Sequence, residues 1–146
     1  MTVHDVSDTQ VPGVTWGSDK PGEVRWERVC PLADLFPERG AAALFGDVQI
    51  ALFRLPDDAA YGVHAGRVYA VQNLDPFSAA NVMSRGIVGT RGGEPTVAAP
   101  VYKQVFSLAT GACLALADKA PKDDLPADLV TYPVEVREDV VHVGLR

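Results

Sequence analysis

At 146 residues, 47% of them hydrophobic, the chain is long enough for one domain burying roughly 68 to 70% of its unfolded surface. A net charge of −6, with Lys and Arg scattered, argues against nucleic acid, whose binding draws on clustered cations. No apolar run approaches about 18 residues and no charged segment leads into an apolar one, so no membrane span or secretory signal is expected, and a cytoplasmic location follows.

Residues 1–22 hold Ser, Asp, Gly and Pro with too few apolar groups in register to offset the cost of ordering, which predicts a flexible tail docking at most through Val14 or Trp16. One domain, residues 23–146, is expected after it. Residues 23–30 alternate as a half-buried strand, and residues 31–36 read as one helical turn stopped before Pro37. Residues 41–45 and 48–55 form strands around Gly46-Asp47. The second is apolar on both faces, so it should be central. Residues 60–64 are expected to pair with 67–73 across Ala65-Gly66.

Residues 95–98 lead into a Pro-bearing loop, and 105–108 return through Ala109-Thr110-Gly111 to 112–114. Residues 117–128, with Pro121, Pro126 and six charges, read as a solvated surface loop. Two closing strands follow: 129–137, with Val130, Tyr132, Val134 and Val136 on one face, and 140–145, joined by Glu138-Asp139. Short strands with frequent turn signals and no long amphipathic helix predict an all-β sandwich or barrel.

Few residues carry chemistry. Cys30 and Cys113 lack C-x-x-C spacing and sit among apolar neighbours, as small packed thiols do. His4, His64 and His142 form no i, i+3 or i, i+4 ligand pair. Gly86, Gly89, Gly92 and Gly93 lack the spacing and the following Lys of a phosphate loop and read as turn formers. Ser84 and Ser107 have no evident base, and the adjacent pairs Asp57-Asp58 and Asp123-Asp124 are poorly placed for acid and base roles.

Residues 73–106 are the most informative stretch. Asn73 and Asp75-Pro76-Phe77 precede Ser84-Arg85-Gly86, and Ala99-Pro100-Val101-Tyr102 precedes Phe106, Leu108 and Thr110-Gly111. This layout resembles the Rieske domain, in which a C-x-H pair and a C-x-x-H pair hold a 2Fe-2S cluster. On that frame the thiolate positions fall at Asp75 and Ala99 and the imidazole positions at Phe77 and Tyr102, so all four ligands are replaced. A Rieske frame without ligands, carrying N-x-D-P-F, S-R-G-I-V-G and P-x-Y-K-Q-x-F-x-L, is similar to the small subunit of the assimilatory NAD(P)H-dependent nitrite reductase.

The resemblance implies a Rieske-like antiparallel sandwich or barrel with a small inserted subdomain, about residues 74–106, that carries the two loops. It implies an accessory subunit of an oxidoreductase that turns nitrite into ammonium, with FAD, 4Fe-4S and sirohaem on the large subunit and no cofactor or catalytic residue in this chain. The partner is then that large subunit, and the surface expected to meet it is an apolar tip of Pro76, Phe77, Pro100 and Val101 rimmed by Arg85, Lys103 and Gln104. Phe77 and Tyr102 are expected to close the vacated space together. The rivals are a Rieske-type ferredoxin electron carrier, against which the missing ligands argue, and a stand-alone β-domain for protein binding.

Overall fold

The computed structural model describes residues 24–145, so the expected tail, with His4, Val14 and Trp16, lies outside the described residues. In chain order the strands are β1 (Arg25–Pro31), β2 (Gly40–Phe45), β3 (Val48–Arg54), β4 (Val68–Gln72), β5 (Leu74–Asp75), β6 (Ala80–Asn81) and β7 (Ile87–Arg91). They continue with β8 (Glu94–Ala98), β9 (Val105–Ser107), β10 (Cys113–Ala115), β11 (Thr131–Tyr132), β12 (Val134–Arg137) and β13 (Val140–Leu145). Their antiparallel pairing gives sheets ordered β1-β13-β12, β11-β4-β3-β2 and β10-β9-β8-β7, with β5 and β6 forming a two-stranded ribbon.

β3 holds the fold together because it is apolar on both faces. Ile50 and Leu52 point into one core, with Val29, Ala43, Phe45, Val68, Ala70, Val141 and Val143. Ala51 and Phe53, one residue out of phase, join Leu55 in a second core with Val71, Phe77, Met83, Val97, Ala99, Phe106 and Leu108. A two-residue period thus places one strand between two cores. Burial of each large side chain contributes about 1.5–3 kcal/mol, and truncating Leu52 to Ala would cost about 2–5 kcal/mol. The β2–β3 hairpin turns at Gly46-Asp47 with Phe45 opposite Val48, as expected from the sequence. The 3-10 turn Leu32–Asp34 ends ahead of Pro37, where the residue before proline avoids helical backbone.

Two expected elements differ. Residues 60–64 do not pair with 67–73: Ala59–His64 is a 3-10 segment, capped by the Asp58 carboxylate accepting from Ala60 N at 2.9 Å and bent at Gly62, φ +53°. β4 pairs with β3 and β11 instead. Residues 129–137 do not form one strand, because Pro133 has no N–H to give a ladder and the chain changes sheets there. β11 lies on β4 and β12 on β13, while the Pro133 carbonyl accepts from Gly144 N at 2.8 Å. The supposed common face is lost with the strand. Val130 is 55% and Val136 44% exposed, while Tyr132 and Val134 pack on the first core.

Candidate functional site

The first loop, residues 73–86, hangs on the buried side chain of Asn73. Its Oδ1 accepts from Ser84 N at 2.8 Å, its Nδ2 donates to the Asn81 carbonyl at 3.2 Å, and its own carbonyl accepts from Met83 N at 3.0 Å. One amide therefore closes a ring of some dozen residues. Gly40 of β2 lets that ring approach the base sheet, since a Cβ there would stand 1.9 Å from the Ser84 carbonyl oxygen.

Inside the loop, Asp75 is fully buried and its carboxylate is spent on local bonds. Oδ1 accepts from Phe77 N at 2.9 Å and Oδ2 from Ser78 Oγ at 2.8 Å. This is the Asx-type turn expected of Asp before Pro. The Phe77 ring turns inward at 1% exposure, its centroid 6.1 Å from that of Phe106 and tilted by 52°. Tilted aromatic pairs contribute about 0.5–1.5 kcal/mol beyond area burial.

The second loop, residues 99–104, joins β8 to β9. Ala99 N donates to the Gln104 carbonyl at 2.8 Å and Lys103 N to the Ala99 carbonyl at 3.1 Å, with Lys103 at φ +66° closing the turn. Ala99 is fully buried beside Phe77 and Phe106. Gly86 seals the seam between the loops, because a Cβ there would stand 2.6 Å from both the Ala98 carbonyl oxygen and Val97 Cγ2. Tyr102, half-buried, packs on the same core cluster, and Lys119 Nζ lies 4.4 Å from its ring centroid.

The four substituted positions thus converge, though unequally. Phe77 and Ala99 form the packed interior with Phe106, Asp75 braces the turn, and Tyr102 covers the outside. Phe106 was legible as apolar by its alternation with Leu108, but nothing in the sequence pairs it with Phe77.

Of the surface expected for a partner, part is elsewhere. Val101 is 47% exposed, Lys103 and Arg85 are exposed and Pro100 is half-buried. Pro76, Phe77 and Gln104 are buried and cannot form its surface. The buried Pro76 is tied at its carbonyl, which accepts from Lys122 N at 2.9 Å. Gln104 is drawn inward by its Nε2, which donates to the Leu116 carbonyl at 3.3 Å.

Burial raises the Cys30 thiol to about 11, with Asp34 adding to the shift, and burial likewise raises Cys113. A thiol so shifted is a poor nucleophile at neutral pH. Among the described residues no cluster of three His, Cys, Asp or Glu side chains is placed to hold a metal ion, and no helix is long and apolar enough to cross a membrane.

The sequence pattern described as Rieske-like [2Fe-2S] domain matches residues 25–144, so the fold and the loop pair define this chain as a member of the Rieske-like domain family. The donor set at the loops does not fit a [2Fe-2S] cluster. Such clusters take thiolates and imidazoles, whereas these positions offer a carboxylate with both oxygens engaged, two aromatic rings and a methyl group. Over 119 residues the chain is 34% identical to the nitrite reductase (NADH) small subunit of Escherichia coli K12, covering 82% of this chain and 96% of that protein. A crystal structure assigned to an NADH-dependent nitrite reductase small subunit from Mycobacterium tuberculosis is 42% identical, with a TM-score of 0.68 over 84% of this chain and 96% of that one. Within the Rieske-like domains, the chain belongs to the family of nitrite reductase small subunits. A nitrite reductase [NAD(P)H] large subunit of Klebsiella oxytoca is also 38% identical over 119 residues, which are 82% of this chain and 11% of that protein.

Proposed function

We propose that this chain is a non-catalytic accessory subunit of an NAD(P)H-dependent nitrite reductase, which binds the large subunit and supports its reduction of nitrite to ammonium. In this reading FAD, the 4Fe-4S centre and sirohaem belong to the large subunit, this chain holds no cofactor, and the complex works in the cytoplasm. The observation that carries the reading is the Klebsiella relative, in which a region like this chain is 11% of a protein named as the large subunit. Joining two domains in one chain gives each a high effective concentration at the other. A separate chain must obtain the same contact by affinity.

The exposed part of the loop surface supplies chemistry for that contact. Val101 offers an apolar centre, and Arg85 and Lys103 a cationic rim, which is how stable interfaces are commonly arranged. Beneath them the Asn73 clasp and the Phe77–Phe106 pair hold the loops without metal. The test is co-purification of tagged chain with its large subunit, followed by NAD(P)H-dependent nitrite reduction with and without the chain. Stoichiometric recovery is expected, with Val101→Asp or Lys103→Glu weakening binding by about tenfold or more. Failure of the wild-type chain to associate at micromolar concentration refutes the reading, and undiminished binding by both variants moves the interface elsewhere.

A further inference from the structure

Residues 116–125, which begin one residue ahead of the 117–128 stretch that composition marks as a solvated loop, touch both of the loops just described. At one end the Leu116 carbonyl accepts Gln104 Nε2 of the second loop at 3.3 Å. Farther along, Lys119 stands over the Tyr102 ring, also of the second loop. At the other end Lys122 N donates to the Pro76 carbonyl of the first loop at 2.9 Å.

The backbone between these contacts is unusual. Ala117, Asp118, Asp123 and Asp124 all have positive φ, between +53° and +58°, and they shape two tight turns, Lys119 N to Leu116 O at 3.2 Å and Leu125 N to Lys122 O at 2.9 Å. L residues seldom adopt this conformation, and it persists where the surroundings over-determine it. Gln104 gives a second sign. It is fully buried, and its Oε1 has no partner among the described residues, so an apolar side chain would fill the place without leaving an acceptor unsatisfied. What the amide adds is its bond to Leu116.

We propose that residues 116–125 form a strap that ties the first loop to the second, so that the surface at Val101 and Lys103 is already formed before a partner arrives. The tie concerns this chain alone; the part about the partner rests on the function proposed above. A surface ordered in advance spares the association the cost of ordering it.

Amide hydrogen exchange on the isolated chain tests the tie. Lys122→Pro removes the N–H given to Pro76 at a position that accepts proline, since Pro121 before it has ψ 150°. Gln104→Met removes the bond to Leu116 in a side chain of similar length. Exchange at Phe77 and Ala79 is expected to quicken about tenfold in the first variant, and at Lys103 about tenfold in the second, with Ile50 to Phe53 of β3 unchanged. Lys119→Ala, an exposed substitution that keeps the fold should either other variant lose it, is expected to speed Lys103 exchange about threefold. Wild-type exchange at both loops in the folded variants overturns the tie.

Association of Gln104→Met with the large subunit is then expected to slow about three- to tenfold, against an unaltered rate if the loops order on binding. Faster loop exchange with unaltered association overturns the pre-formed surface and leaves the tie. No association by the wild-type chain overturns the partner reading and the pre-formed surface with it, while the exchange result still decides the tie.

Discussion

Replacing Phe77 by Ala removes a ring that is 1% exposed and whose neighbours, Ala99, Phe106 and Met83, are themselves at most 1% exposed. The loops are closed by the Asn73 clasp and the β8–β9 turn, so the walls have little room to collapse. Truncation of a buried Phe costs about 3–5 kcal/mol when the site relaxes only in part, and loss of the Phe106 pair falls within that figure. Against a total stability of about 5–15 kcal/mol for a domain, this is a large share. It corresponds to a fall in melting temperature of about 10–20 °C for a chain of this length. The control is Tyr102→Ala. Tyr102 is only half-buried, and its removal is expected to cost about 1–2 kcal/mol. Urea unfolding followed by tryptophan fluorescence gives both values. An unchanged midpoint in Phe77→Ala, or a larger loss in Tyr102→Ala, would refute Phe77 as the plug of the vacated site.

Three further outcomes follow from named contacts. Burial of His142 in β13 holds its pKa below the usual 6.5, only partly offset by the bond between its Nδ1 and the Val140 carbonyl. The unfolded chain therefore takes up the proton first as pH falls. The stability is whole above pH 6.5 and is lost as pH drops from there through the lowered native value, so thermal unfolding at about pH 8 and pH 5.5 should show a smaller difference in His142→Phe than in wild type. Gly40→Ala would place a Cβ 1.9 Å from the Ser84 carbonyl oxygen and is expected to lower stability by about 1–3 kcal/mol or more, read as a denaturant midpoint. Ala117→Gly relieves a φ of +54° and is expected to raise stability by about 0.5–1 kcal/mol, the relief exceeding glycine's entropic penalty; a lower melting temperature would contradict it.

The elements that could be read from sequence are those whose signal is local. The apolar run at Ile50 to Phe53 announces a strand buried on both faces, Gly46-Asp47 announces its turn, and Asp75 before Pro76 announces an Asx turn. Residues 60–64 misled because Ala65-Gly66 has the look of a hairpin turn, whereas Gly62 and the Asp58 cap act against an extended chain before it. Residue type indicates neither depth nor direction. Gln104 and Pro76 have the look of surface residues, yet both are buried, one with its amide bonded to the Leu116 carbonyl and the other with its carbonyl bonded to Lys122 N. The strap itself was hidden for a related reason: apart from Lys119 on Tyr102, it engages the loops through backbone atoms that every residue possesses.

The account turns on two loops of a Rieske-like domain being held by side-chain packing and hydrogen bonds instead of by metal. Iron and acid-labile sulfide analysis of the anaerobically purified chain, free of its large subunit, tests this most directly. Substoichiometric traces of both, and no visible absorption from a cluster, are the predicted result, because thiolates and imidazoles are missing from positions 75, 77, 99 and 102. A stoichiometric [2Fe-2S] cluster bound to the folded chain would contradict it.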